Sequence, residues 1–323
     1  MLFAAPAAAI WFAGTRLSHL ADAIGDKTGA RQAIMGLIFL AAITELPELV
    51  TTSTAALGGN AALALNNMFG GITMQTAILV VAEVAAMHVT LTSVPRKSQP
   101  VPEAALLILL LATVLAVATL GDVPLVGWVG AGVVLFAAIY CAAIVALERC
   151  DSTLPWRPID LPNMKEKAAP MAANALRGSG LPALALESSI VGLVILVCGV
   201  TWVEVCEGLA EQTGLGSSFI GATLLAPTTS LPEHSTTIAA VRMGAYTMAI
   251  SNISGSNLIM VLVLFPADIF YRDGLTLNQV DDTAKLALLS GILVTAIYII
   301  GLLVRRKPRV FGIGLDSLIV LIV

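Results

Sequence analysis

The sequence predicts an all-α integral membrane protein, with about ten transmembrane helices arranged as two inverted five-helix repeats. Three observations carry that expectation. Of the 323 residues, 58% are hydrophobic and only 12% charged, a composition too apolar for a soluble fold. Apolar runs long enough to cross a bilayer, ~20 residues each, recur along the whole chain. The chain also repeats itself. TELPELVTT at 44–52 returns as TSLPEHSTT at 229–237, so Glu233 follows Glu48 by 185 residues, as Thr229 follows Thr44 and Pro232 follows Pro47 (233 − 48, 229 − 44, 232 − 47). Without a gap, the same offset pairs Thr28 with Thr213, Gly36 with Gly221, Asn67 with Asn252 and Gly70 with Gly255.

Taken in order, the apolar runs place spans near 2–24, 31–57, 61–92, 102–120 and 124–147, then near 185–207, 216–241, 245–270, 283–304 and 309–323. The first lacks the early basic region of a cleavable signal, so it is expected to remain as a span. The second and seventh are interrupted by Pro47 and Pro232. The last holds about 15 residues, roughly 22 Å of helix at ~1.5 Å per residue. Between the halves, Glu148 to about Leu181 carries mixed charge and Pro155, Pro158, Pro162 and Pro170, the composition of a hinge. The expected divisions are therefore 1–148 (first repeat, motif 44–75), 149–182 (cytoplasmic linker) and 183–323 (second repeat, motif 229–260).

Charge tests this topology independently. With the N-terminus outside, the cytoplasmic ends and loops take Arg16, Lys27, Arg31, Arg96, Lys97, Arg149, Arg157, Lys165, Lys167, Arg177, Arg242, Arg305, Arg306, Lys307 and Arg309. Of the 17 basic residues, only Arg272 and Lys285 break the positive-inside rule. Five spans per half is an odd number, so the second half enters the membrane in the opposite orientation. The expected location is the plasma (cell inner) membrane, with the central loop cytoplasmic. No basic stripe with interleaved aromatics points to nucleic acid. Cys141, Cys150, Cys198 and Cys206 form no CxxC pair and read as small packed residues.

Chemistry concentrates at the repeated motif. A proline inside a span lacks an N–H and clashes with the carbonyl four residues back, so the helices should break or kink around Thr44 and Thr229. Such a break is tolerated at membrane depth only where the freed carbonyls line a cavity or bind something. Glu48 and Glu233 follow directly. Carbonyl oxygens beside carboxylate oxygens suit a hard cation such as Ca²⁺, at ~2.3–2.6 Å. Two carboxylates meeting at a two-fold axis repel, and they persist if a divalent cation bridges them or protons neutralise them. A packing kink is the alternative for either proline alone; duplication with a paired glutamate favours the site. Each half has a second interrupted segment, Asn66-Asn67-Met68-Phe69-Gly70-Gly71 and Asn252-Ile253-Ser254-Gly255-Ser256-Asn257, where glycine permits close approach and Asn and Ser offer oxygens.

These segments resemble the α-repeats of the calcium/cation antiporter superfamily, to which the sodium/calcium exchangers belong. The resemblance covers both halves and implies that Glu48 and Glu233 are Ca²⁺ ligands, with Thr44 and Thr229 supplying backbone carbonyls. Ser230 and Ser256 match hydroxyls that help hold Na⁺, and Asn67 and Asn252 fall in the second element of each repeat. The departures matter too. Glu45 stands where the first repeat has a serine, Gly71 replaces another serine, Gln75 falls where an Asn commonly lines the site, and Met260 replaces a polar or acidic residue. Glu45 is open to several roles: third site carboxylate, proton acceptor, gate residue, or a side chain facing a vestibule. Glu83 reads as a hydrogen-bonded or interfacial group, as does His88. His234 should lie off the Glu233 face, and Glu204, Glu207 and Glu211 read as a solvated face.

The implied activity is antiport of Ca²⁺ or a similar divalent cation against Na⁺ or H⁺, with no enzymatic activity and no cofactor. The expected partners are those ions and the lipid bilayer, one chain being sufficient for transport. A passive channel, a member that binds without transporting, and an intramembrane carboxylate hydrolase are the competing classes.

Overall fold

The computed structural model describes residues 4–30, 34–86, 90–95, 99–150, 176, 178–213, 229–304, 309–310 and 313–323. Helix α1 (Ala4–Thr28) is followed by α2 (Met35–Thr44), whose first six residues are π-helical, and α3 (Leu46–Leu57). Then come α4 (Ala61–Ala86), a 3₁₀ turn at Leu91–Ser93, α5 (Pro100–Leu120), strands β1 (Pro124–Val126) and β2 (Val129–Gly130), and α6 (Ala131–Cys150). The second half holds α7 (Leu181–Thr213), α8 (Leu231–Met243), α9 (Tyr246–Phe270), a 3₁₀ turn at Thr276–Gln279, α10 (Asp282–Val304), strands β3 (Arg309–Val310) and β4 (Ile313–Gly314), and α11 (Leu315–Ile322).

Among the described residues, α4, α5, α7, α9 and α10 each contain a stretch long and apolar enough to cross a bilayer. The pair α2–α3, bent by 47° at Glu45, forms a sixth, broken span. Helix α1 has the length, at 25 residues, but carries Arg16, His19, Asp22, Asp26 and Lys27 along its second half. The segment preceding α8, 214–228, lies outside the described residues, as does most of the expected linker.

The repeat is visible in the elements themselves. Helices α3 and α8 begin at Leu46 and Leu231, α4 and α9 at Ala61 and Tyr246, the 3₁₀ turns at Leu91 and Thr276, and the hairpins at Pro124 and Arg309. Every pair is 185 apart (231 − 46, 246 − 61, 276 − 91, 309 − 124). Packing partners exchange between the halves, as a two-fold relation requires. Helix α1 lies on α8 while α7 lies on α3, and α3 packs on α9 while α8 packs on α4. The first and sixth long helices, α1 and α7, also run along each other and are joined by Arg16 Nη2 and Glu187 Oε1 at 2.6 Å.

Two expected span boundaries are corrected. The stretch read as a span from 124 opens with the β1–β2 hairpin, and α6 starts only at Ala131. Gly127 turns the chain at φ 61°, and Asp122 Oδ1 accepts the N–H groups of Val123 and Gly132, so polar caps decide the local structure against an apolar composition. At 309–323 the same device recurs: hairpin β3–β4 occupies the start, leaving α11 with eight residues, ~12 Å of helix.

Candidate cation site

The duplicated motif falls at the break between α2 and α3 and, in the second repeat, at the start of α8. Pro47 cannot donate to the carbonyl of Ile43, and α2 stops at Thr44 with Glu45 in the bridge conformation (φ −79°, ψ −2°) before α3 resumes. Ser230 occupies the equivalent place before α8 with nearly the same angles (φ −78°, ψ 4°) and Pro232 in the first turn. Each break is seated against a glycine of a helix from the other repeat position, Gly199 of α7 and Gly14 of α1, themselves 185 apart (199 − 14). A Cβ at Gly199 would stand 2.7 Å from Pro47 Cβ, and one at Gly14 would collide with Ser235 and lie 3.2 Å from the Pro232 carbonyl.

All ten residues expected to bind cations are buried. Thr44, Glu48, Asn67, Gln75, Ser230, Glu233, Asn252 and Ser256 are 0% exposed, and Glu45 and Thr229 only 1%. The glutamates are arranged crosswise: Glu48 sits beside Thr229 of the other repeat, and Glu233 beside Thr44. Glu48 is close enough to Glu233 for their charges to interact, and Glu45 is close enough to act on both. Among the described residues, no oxygen of Glu48 or Glu233 has a well-aligned hydrogen-bond donor, although the Thr229 and Thr44 hydroxyls lie beside them. Carboxylates removed from water without donors need a cation or protons to balance them. Among the described residues, no three His, Cys, Asp or Glu side chains converge with metal-binding geometry. Further ligands to an ion at Glu48 and Glu233 would therefore be carbonyl, hydroxyl and amide oxygens.

Around this pair the shell is uneven. Gln75 Nε2 donates to Glu45 Oε1 at 2.7 Å, and the Ser256 hydroxyl lies beside the same carboxylate. Glu45 thus faces the site interior and not a vestibule. Asn252 Nδ2 reaches Thr236 Oγ1 and Thr237 Oγ1 at 3.1 and 3.2 Å, bracing α9 on α8, while its Oδ1 stays without a partner. Both amide atoms of Asn67 are unpartnered, but it precedes Gln75 by eight residues, ~12 Å along α4. His234 does point away from the carboxylates: its Nδ1 lies 3.0 Å from the Ser230 carbonyl oxygen, which accepts from it in the Nδ1-protonated tautomer. A cavity of about 210 Å³ opens between α1 and α8, lined by Trp11, Thr15, His19, Ser235, Arg242 and Met243 among others, and ends two residues from Glu233.

A second duplicated acid escaped the sequence reading. Glu83, expected as a hydrogen-bonded or interfacial group, is hydrogen-bonded: it accepts the N–H of Leu91 at 2.8 Å and of Gly314 at 3.0 Å. Asp268, 185 residues on, accepts the N–H of Thr276 at 2.7 Å and of Gly130 at 2.7 Å. Each acid binds its own 3₁₀ turn and the hairpin of the opposite repeat. The offset (268 − 83) was the available signal. His88 and the side chains of Glu207 and Glu211 lie outside the described residues, whereas Glu204 is exposed.

A nearly all-helical membrane bundle, with a Pro-Glu motif at the α2–α3 break and its repeat at the start of α8, places the chain in the calcium/cation antiporter superfamily. Within it, the chain belongs to the sodium/calcium exchanger protein family, whose model matches residues 1–147 and 184–322. Inner membrane protein YrbG of Escherichia coli K12 is 26% identical over 307 residues, covering 92% of this chain and 86% of its own. Among solved structures, the sodium-calcium exchanger NCX_Mj soaked with 2.5 mM Na⁺ and 10 mM Sr²⁺ superposes with a TM-score of 0.69 at 15% identity, over 99% of this chain and 94% of that one. The H⁺/Ca²⁺ exchanger CAX gives 0.65 at 13% identity, over 99% and 85%. Both likenesses are of fold.

Proposed function

We propose that the protein is a secondary active antiporter exchanging Ca²⁺, or a divalent cation like it, for Na⁺ or H⁺ by alternating access. The crosswise pairing of Glu48 with Thr229 and of Glu233 with Thr44 carries the reading, because it brings two anionic groups from opposite repeats to one dry place. A divalent ion there is neutralised by the two carboxylates and completed by oxygens of Thr44 and Thr229. Monovalent ions or protons that take the same oxygens exclude it, so the two loads alternate. Two protons replacing one Ca²⁺ on Glu48 and Glu233 keep the charge balanced. Helices α1 and α7, tied to each other and seated on the breaks through Gly14 and Gly199, are the pair that slides to expose the site to either side.

The same reading places the N-terminus outside and the 149–182 linker in the cytoplasm, with repeats at 1–148 and 183–323 in the plasma (cell inner) membrane. One chain holds both halves of the site, so a monomer suffices. The test is Ca²⁺ uptake into liposomes containing the purified protein, under an imposed Na⁺ gradient and separately under a pH gradient. Uptake against the Ca²⁺ gradient in either condition supports antiport. Downhill leakage alone supports a channel, and no flux under either gradient rejects both.

A further inference from the structure

The cavity of about 210 Å³ between α1 and α8 is built from two facing stripes. Trp11, Thr15 and His19 recur every four residues along α1, and Ser235, Ile238 and Arg242 share one face of α8. Arg242 is exposed in the last turn of α8, where a helix end favours a cation. It stands nine residues beyond Glu233 (242 − 233), ~14 Å along the helix. Among the described residues, Arg16 pairs with Glu187, Lys285 pairs with Asp282, and Arg272 lies over the Trp128 ring. Arg242 has neither kind of partner there. The other repeat does not carry this chemistry. At the 185-residue offset His19 answers to Glu204, Arg242 to Leu57 and Trp11 to Leu196, so the equivalent positions on α7 and α3 lack both basic groups.

We infer that this crevice binds an anionic phospholipid, with its phosphate on Arg242 and His19 and the adjoining chain against Trp11, Ile238 and Met243. A guanidinium presents five N–H donors in a planar fork that matches phosphate oxygens. At the mouth of a cavity the same charge repels cations, which argues against the crevice as a cation route. Behind it the wall is apolar. Ile238 and Met243 are buried, and half-buried Trp11 presents an indole, the side chain favoured where a membrane meets water. A cation beside an apolar wall, between two membrane helices, suits a phosphate carried on a lipid better than a free one. The proposed orientation puts Arg242 at the cytoplasmic leaflet, whose surface is negative. The site goes beyond the antiport reading and does not depend on it. Where that reading holds, a lipid touching both helices favours the arrangement of α1 on α8 seen here over one in which α1 has slid.

The test is native mass spectrometry of the purified full-length protein titrated with dioleoyl phosphatidylglycerol or dioleoyl phosphatidylcholine, with equilibrium binding of radiolabelled inorganic phosphate in parallel. Wild type is expected to hold its tightest phosphatidylglycerol about tenfold or more tighter than phosphatidylcholine. Arg242→Gln should lose that preference. So should Arg242→Leu combined with His19→Glu, which copies the residues of the other repeat. Arg272→Gln, the same charge change outside the crevice, should keep it. No preference in wild type, or an undiminished preference in monodisperse Arg242→Gln protein, overturns the site. Phosphate binding that depends on Arg242, with equal affinity for the two lipids, assigns the crevice to a soluble phosphate and overturns the lipid. Ca²⁺ flux is read separately: lipid binding that follows this pattern in a protein showing no flux sustains the site and rejects the proposed function.

Discussion

Replacing Glu48 by Gln keeps the shape of the side chain and removes one charge, so it isolates what that charge does for a bound cation. Glu48 is fully buried, and among the described residues neither oxygen has a well-aligned donor, so a bound cation is the main balance for its charge. Removing one member of a buried ionic pairing costs about 3–5 kcal/mol, and a tenfold change in Kd is about 1.4 kcal/mol. Ca²⁺ affinity should therefore fall on the order of a hundred- to several-thousand-fold. Isothermal titration of Ca²⁺ into purified Glu48→Gln and Glu233→Gln reads this directly. Asp282→Asn, the same charge change at a fully exposed side chain paired with Lys285, serves as the control and should leave affinity unaltered. Because both glutamates act on one ion, the double variant should lose less than the sum of the single losses. A Glu48→Gln protein whose Ca²⁺ affinity stays within a factor of about three of wild type, under 1 kcal/mol, would refute the shared-ion reasoning.

Three further outcomes follow from the packing. Gly199→Ala places a Cβ 2.7 Å from Pro47 Cβ and should slow Ca²⁺ exchange in liposomes while equilibrium Ca²⁺ binding persists, since it obstructs the sliding contact and not the ligands. Asp268→Asn removes the charge from two 2.7 Å hydrogen bonds and turns an amide N–H toward backbone donors; the detergent-solubilised protein should lose about 2–4 kcal/mol of stability, visible as a lower Tm. Arg16→Ala breaks a 2.6 Å ion pair, but both side chains are about two-fifths exposed, so the change should cost no more than ~1 kcal/mol and leave Tm nearly unmoved.

The site was legible because duplication filters noise. A single Pro-Glu in an apolar run reads equally as a kink, but Pro47-Glu48 and Pro232-Glu233 at one offset do not. The spans were legible for a cruder reason, apolarity over bilayer length, and that criterion failed where apolar residues form something else. Pro124–Val126 and Arg309–Val310 are strands beside backbone N–H groups that donate to Asp122, Asp268 and Glu83, and the bonds of Gly130 to Asp268 and of Gly314 to Glu83 join residues remote in sequence. The Met260–Gly71 contact was beyond reach as well. The sequence revealed two mismatched positions, but only folding shows that the methyl of one fills the hollow of the other. Glu45 stayed ambiguous until its bond to Gln75 fixed its direction.

The most direct test of the central claim is to locate a bound divalent ion. Crystals of the protein soaked with Sr²⁺, a strong anomalous scatterer, should show one peak between Glu48 and Glu233 in direct coordination with an oxygen of each, slightly beyond the ~2.3–2.6 Å of Ca²⁺, with Thr44 and Thr229 oxygens completing the shell. A peak bound elsewhere in the bundle, or one touching only one of the two glutamates, would contradict the account.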